Sequence, residues 1–301
     1  MPLTFDTAFK PAYGEAVPVA QDVLRITVNN PGPFTFYGTN SYLVGRETLA
    51  VIDPGPEDEA HLNAIIKAIG GRRVSHIFVT HTHRDHSPLT PKLKELTGAI
   101  VVAEGPHRAA RPLRIGEINP LDDSADTDFA PDTVIADDEV VAGDGWSMRA
   151  LHTPGHAANH AAFALEGTGI VFSGDHVMAW STSIVAPPDG SMRDYMKSLD
   201  RLLTRDDTFY LPGHGAVLEN PAPFLEGLRE HRLGREAAIL DRIKVGDRTI
   251  PDIVRSVYKD TDPRLHGAAA LSVLAHVEDL VARGLVATEN DVAIDSDYRA
   301  A

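Results

Sequence analysis

A stretch that reads as a buried strand, Val74 to Val79, runs straight into Thr80-His81-Thr82-His83-Arg84-Asp85-His86. Three imidazoles and a carboxylate within six residues of a strand end cannot all be core groups, because each buried polar atom needs a partner. They call for a cation or water. The chain has no cysteine, which removes disulfides, thiolate metal sites and cysteine nucleophiles and leaves nitrogen and oxygen as donors. That donor set suits zinc, iron or manganese, and one loop serves two ions when alternate residues face different ways.

Three later segments supply what such a loop lacks: Thr153-Pro154-Gly155-His156, Ser173-Gly174-Asp175 and Pro212-Gly213-His214-Gly215. Each follows an expected strand and sets one ligand-type residue beside glycine, whose backbone freedom permits a sharp turn toward a shared centre. Alone, each reads better as a turn with a satisfied side chain. Beside the HxHxDH loop they read as ligands.

Up to about residue 220, short apolar strands alternate with amphipathic helices. Ser41 to Val44 and Thr48 to Ile52 read as a hairpin around Gly45-Arg46, and Ile100 to Ala103, Ser147 to Leu151, Ala161 to Leu165 and Gly169 to Ser173 as further strands. Glu57 to Ile69 puts Leu62, Ile65, Ile66 and Ile69 on one helical face and stops at Gly70. Ser191 to Asp194 resembles a capping box opening a helix that buries Met196, Leu199, Leu202 and Leu203. Arg111 to Asp138, acidic and broken by Pro112, Pro120 and Pro131, is expected to be a long surface loop or lid.

From Pro221 the texture turns helical. Helices are expected over Pro221 to Val245, over Ile250 to Tyr258 behind a Thr249 cap, and over Pro263 to Arg283. Leu285 to Thr288 and Val292 to Ile294 are expected to pair across Glu289-Asn290-Asp291 as a wing. The expected organisation is a domain over 1–220 and a small winged-helix-like domain over 221–301 that shapes the cleft.

The four segments above, with Ile52-Asp53-Pro54-Gly55 ahead of them, occur in the order found in the metallo-β-lactamase superfamily, which the chain resembles from about Asp22 to Val217. The resemblance implies an α/β fold, the metallo-β-lactamase αββα sandwich, followed by the mostly helical winged-helix-like domain. It implies that His81, His83 and His156 hold a first metal, that Asp85, His86 and His214 hold a second, and that Asp175 bridges them. Asp53 matches the aspartate that supports the HxHxDH loop from behind. The lack of cysteine separates the chain from cysteine-ligating antibiotic hydrolases, and Asp175 places it with the thioesterase, lactonase and nuclease branches. A closer resemblance, carried by Asn30-Pro31-Gly32-Pro33, Gly38 to Val44, Asp194-Tyr195-Met196 and Leu225 onward, is to the beta-lactamase-like protein 2 group. That group includes a single-strand-specific endoribonuclease, so the resemblance implies RNA cleavage as an alternative activity.

Two divalent ions bridged by a carboxylate lower the pKa of a shared water toward neutrality. The expected function is therefore a dinuclear metal-dependent hydrolase, most readily with Zn2+ and alternatively with Mn2+ or Fe. Its bridging hydroxide is expected to attack an ester, thioester, lactone or phosphodiester. Asp85 is expected to orient that water or carry its proton. The competing classes are an iron-dependent redox enzyme on the same fold and a binding module built on the winged helix.

Of the remaining histidines, His160 is expected behind the ligands and His176 to be structural. Tyr37, Ser181 and Thr182 are placed at the pocket rim. On the long helix, His231 and Arg232, grouped with Arg229 and Arg235, are expected to meet an anionic substrate.

The net charge of −15 argues against a general polyanion binder. From Leu225 onward 11 Lys and Arg face 14 Asp and Glu, so no duplex DNA partner is expected, and a small molecule or single-stranded RNA is. No run approaches the roughly 20 apolar residues of a membrane span, and the start lacks a basic n-region and an apolar h-region. A cytoplasmic location without membrane contact is expected.

Overall fold

The structure is a computed structural model that describes residues 3–114, 117–119, 122–289 and 291–301. Two β-sheets lie face to face with helices on both outer sides. The first holds seven strands in chain order: β1 (Val17–Ala20), β2 (Val23–Thr27), β3 (Asn40–Val44), β4 (Thr48–Ile52), β5 (Arg73–Val79), β6 (Ile100–Ala103) and β7 (Thr133–Val134). β1 to β4 are antiparallel, and β4 to β7 run parallel. The second comprises β8 (Val140–Gly143), β9 (Trp146–His152), β10 (Ala161–Leu165), β11 (Ile170–Gly174), β12 (Phe209–Pro212) and β13 (Leu218–Glu219). It is antiparallel except between β11 and β12.

Period-two alternation sorts the side chains between layers. In β3, Tyr42 and Val44 enter the inter-sheet core with Phe78, Phe163 and Phe172. Leu43 faces the other way, onto α1 (Glu59–Ile69) and α2 (Thr90–Thr97), with Leu62, Ile65 and Leu93. Beyond the second sheet, Ala162 and Val171 pack on α3 (Met192–Leu203) and α4 (Pro221–Lys244) through Tyr195, Leu199, Leu225 and Leu228. Each buried Leu, Ile or Phe contributes roughly 1.5–3 kcal/mol, so the strand ends that carry the polar loops rest on a rigid frame.

The helix caps follow the sequence, and the buried faces depart from it in detail. Asp58 accepts from His61 N at the start of α1, which closes at Gly70 with φ 60°. Ile66, expected on its inner face, is exposed. Ser191 accepts from Asp194 N at the start of α3, and the buried stripe runs through Met192, Tyr195, Leu199 and Leu202. Met196 and Leu203 are half-buried because they flank that stripe. The Arg111 to Asp138 segment is not uniformly exposed. Ala125, Phe129 and Ile135 are buried, and β7 forms near its end. Pro120 lies outside the described residues.

α4 belongs to both halves of the chain, since Leu225 and Leu228 pack with α3 whereas Ile239 and Ile243 join α5 (Ile250–Val257) and α6 (His266–Ala282) in a separate core. Pro263–Ala282 is, among the described residues, the one helical segment long and apolar enough by length and composition to cross a membrane, which qualifies the expectation that no run approaches a span. Its Val273, Val277 and Leu280 fill the C-terminal core. The wing also differs from expectation: β14 (Val286–Ala287) pairs with β15 (Arg299–Ala300), not with Val292 to Ile294. Val292 turns inward, Ser296 Oγ donates to Asp291 O, and buried Tyr298 donates its hydroxyl to Ala293 O. The segment therefore folds on itself and delivers its end to β14. Asn290, in the expected turn, lies outside the described residues.

His276 on α6 is 1% exposed. Burial, then Arg232, His231, Arg283 and Arg235, lower its pKa to about 3. The unfolded chain takes up this proton near pH 6.5 and the folded chain refuses it until about pH 3. Stability is thus full above pH 6.5 and falls as pH drops below it, by up to ~1.4 kcal/mol per pH unit. Urea midpoints measured from neutral to weakly acidic pH should fall less steeply for His276→Leu than for the wild type. Parallel curves would contradict this assignment.

Candidate metal centre

The polar loops leave the same end of both sheets. Parallel β4 and β5 finish side by side, which sets Asp53 against the loop after β5, while β9, β11 and β12 lead to His156, Asp175 and His214. His81 Nε2 and His156 Nε2 each lie 3.0 Å from His83 Nδ1. Asp85 Oδ2 lies 3.2 Å from His214 Nε2 and 3.4 Å from His86 Nε2. Asp175 stands between the two groups, with Oδ2 3.2 Å from His214 Nε2 and 3.8 Å from His156 Nε2, and Oδ1 3.5 Å from His86 Nε2. Ligand atoms around a tetrahedral zinc at about 2.1 Å are roughly 3.4 Å apart. In the groups His81/His83/His156 and Asp85/His86/His214 the donor atoms all lie within 4.8 Å of one another, close enough to surround one ion each, and a third group, His81/His86/Asp175, shares a histidine with each.

The donors fit a metal chemically as well. His86 Nε2, His214 Nε2 and Asp175 Oδ1 are buried with no hydrogen-bond partner among the described residues, an arrangement that a bound cation explains. Burial, with the neighbouring rings, holds His81 well below the imidazole range and His83 near 3, so both are neutral donors. Burial opposes charge on His86 and His214, yet Asp85 and Asp175 outweigh it and raise His214 to about 9. Burial likewise pushes Asp175 up, and His214 and His86 more than offset it. This half of the centre holds positive charge between two carboxylates, a place suited to a divalent cation.

Four of the five rings are aimed from behind, as metal-ligating imidazoles usually are. His81 Nδ1 meets Thr80 Oγ1 at 3.0 Å, His86 Nδ1 meets Asp53 Oδ2 at 2.9 Å, His156 Nδ1 meets Ile184 O at 2.6 Å and His214 Nδ1 meets Gly38 O at 3.2 Å. Asp53 also accepts from the amide and hydroxyl of Thr80, each at 2.7 Å. His160 stands behind the ligands: its Nδ1 meets Thr153 Oγ1, and its Nε2 accepts from Asp175 N at 3.2 Å.

The family model of the metallo-beta-lactamase superfamily matches residues 34–214, which contain all seven ligand-type residues. The chain belongs to the metallo-beta-lactamase superfamily. A beta-lactamase associated winged helix domain model matches residues 249–295. A beta-lactamase-like protein 2 homolog of Drosophila melanogaster is 30% identical, over 88% of this chain and 90% of the relative. An atrochrysone carboxyl ACP thioesterase of Aspergillus chevalieri is 29% identical, over 85% of this chain and 82% of its own. A solved beta-lactamase domain protein from Burkholderia ambifaria aligns with a TM-score of 0.78 at 22% identity, covering 99% of this chain and 97% of that one.

In this member of the superfamily a cavity of about 580 Å³ opens over His83, Asp85, His156 and Asp175. Its walls include Phe34, Thr35, Arg84, Ile184, Ala268 and Leu271. Ala268 and Leu271 belong to α6, so the C-terminal region forms one wall. A cavity of equal volume around Trp146 and Phe209, at the opposite strand ends, has no histidine in its lining.

Five residues expected near substrate do not line the metal cavity: Tyr37, Ser181, Thr182, His231 and Arg232. Tyr37 packs on Phe9 and Phe36, and Ser181 Oγ donates to Thr182 O. His231 is half-buried on α4, where burial, then Arg232 and Arg235, lower its pKa to about 4. Arg232 is 4% exposed, donates to Ser183 O and lies over the Tyr195 ring. Arg229 pairs with Asp200, and Arg235 covers Tyr258. Of the three arginines Arg232 alone is buried, and through Ser183 O it secures the segment whose next residue, Ile184, orients His156. His176 is buried against Tyr195, and its carbonyl accepts from Ser183 and Tyr195.

Proposed function

We propose that the chain is a dinuclear metal-dependent hydrolase of small acyl compounds, cleaving an ester or thioester. The observation that carries this reading is the pair of ligand groups joined by Asp175 beneath a cavity walled by Phe34, Ile184, Ala268 and Leu271. The relatives named as ACP thioesterases support the acyl side of the choice. So does the net charge of −15, which disfavours a polyanionic substrate.

Two divalent ions, Zn2+ first among those an imidazole and carboxylate set favours, would be held by His81, His83 and His156 and by Asp85, His86 and His214, and when bound would supply an activated water and polarise the carbonyl. One water is consumed across the acyl C–O or C–S bond, and an acid and an alcohol or thiol are released. Asp85 Oδ2 lies at the cavity floor, 3.4 Å from Thr39 Oγ1 as well as beside His214, and is placed to hold the attacking water and take its proton.

Elemental analysis and a substrate panel on the same sample test this. The expected result is about two transition-metal ions per chain and turnover of esters or thioesters, with a lower melting temperature and lost activity after chelation. One ion per chain, or cleavage of single-stranded RNA without acyl turnover, would contradict it.

A further inference from the structure

Arg84 stands between two ligands, His83 and Asp85, and its side chain is exposed on the cavity wall. It is held at two points on one segment: its backbone N donates to Ser124 O at 2.8 Å and its Nε to Ala125 O at 3.0 Å. Among the described residues, neither Nη has a hydrogen bond and no carboxylate lies within ion-pair distance. In a chain with 43 Asp and Glu against 28 Lys and Arg, most arginines, Arg46, Arg149, Arg201 and Arg283 among them, are in ion pairs. A guanidinium fixed by its Nε, with both Nη groups free, presents the fork that binds an oxyanion through two hydrogen bonds.

Thr35, Asp123 and Ser124 are polar members of the same lining, and the rest of the wall beside Arg84 is apolar. Phe34 is 53% exposed although it is a large apolar residue at the mouth of the cavity. Ile184, Ala268 and Leu271 add apolar surface to the lining that holds His83, Asp85, His156 and Asp175. Arg84 also borders a neighbouring polar cavity with Lys94, Asp126 and Asp128, so its guanidinium stands where the apolar wall gives way to polar surface, which matches a ligand with an apolar body and an anionic end.

We propose that Arg84 is a specificity-determining residue that binds an oxyanion, a carboxylate or phosphate, carried by the substrate at a distance from the bond that reacts. The apolar span between them rests on Phe34 and Leu271. This deepens the acyl-hydrolase reading and rests on it only for where the reacting group lies.

The test is equilibrium binding to the metal-loaded full chain, which requires no turnover. The probes are octanoate, octanedioate and 8-phosphonooxyoctanoate, which share one carboxylate end and differ at the other. At least one anion-tailed probe is expected to bind the wild type 10-fold or more tightly than octanoate, and which of the two does so identifies the anion. Arg84→Gln is expected to abolish that difference and leave octanoate affinity within about twofold. Phe34→Ala should weaken all three and keep the ratio. Octanoate binding as tightly as both tailed probes, equal weakening of all three by Arg84→Gln, or no binding of any probe would overturn the proposal. Ratios that behave as expected in a protein that hydrolyses no ester or thioester would remove the hydrolase reading and leave the Arg84 site standing.

Discussion

Asp175→Ala is expected to lower kcat/KM roughly 10³-fold or more, about 4 kcal/mol of transition-state stabilisation. Its two carboxylate oxygens approach His86, His156 and His214, which belong to both ligand groups, so one substitution damages both. The loss should appear in kcat/KM and in metal content together, because Asp85 is then the one carboxylate left that faces the Nε2 atoms of both His86 and His214. Asp53→Ala should behave differently. Asp53 orients His86 and the Thr80 amide without entering any ligand group, and removing a partner of this kind typically costs 10- to 100-fold in metal affinity or activity. That deficit should shrink when excess metal is added, whereas the Asp175→Ala deficit should persist. Equal losses with full metal retained would contradict the role given to Asp175.

The seven ligand-type residues were legible because each sits in a short motif whose polarity conflicts with the apolar strand before it, a conflict visible without coordinates. The groups that aim the rings were legible only in part. Asp53 and Thr80 act through side chains, but Gly38 and Ile184 act through carbonyl oxygens, and every residue has one of those. The cavity walls were harder still. Phe34, Ala268 and Leu271 come together from segments more than 200 residues apart, and nothing local marks Leu271 as different from the core residues of its own helix.

The arginine group and the wing depart from expectation for one physical reason. Helical spacing correctly put Arg229, Arg232 and Arg235 near one side of α4, but spacing does not say what that side meets. Arg232 turned inward because Ser183 O and the Tyr195 ring were available to satisfy it. The wing failed for a similar reason. Val292 to Ile294 has strand-like composition, yet Val292 is better placed in the C-terminal core, and buried Tyr298 anchors the strand that pairs instead.

Gly213→Ala is expected to lower kcat about 10²-fold and to release close to one metal ion per chain while the fold survives. A methyl at this position would stand 2.5 Å from Asp175 Oδ1 and 2.6 Å from His86 Cε1. The backbone cannot retreat, since Gly213 N donates to Gly174 O at 2.9 Å and its carbonyl accepts from Asn40 N at 2.7 Å. The carboxylate and the ring must therefore move, and His86 is itself held by Asp53. Reaching ordinary contact distance requires a shift on the order of 1 Å, enough to cost about 100-fold when reacting groups are misplaced. Overpacking of this kind adds a stability loss of about 1–3 kcal/mol. Gly234→Ala provides the contrast, because that glycine lies within α4 with nothing within 4 Å of an added Cβ. It should be neutral or stabilise by about 0.5–1 kcal/mol. Metal content, kcat and the urea midpoint of both variants decide the matter. A Gly213→Ala protein that keeps two ions and wild-type turnover would contradict the proposed role of Asp175 between the two ligand groups.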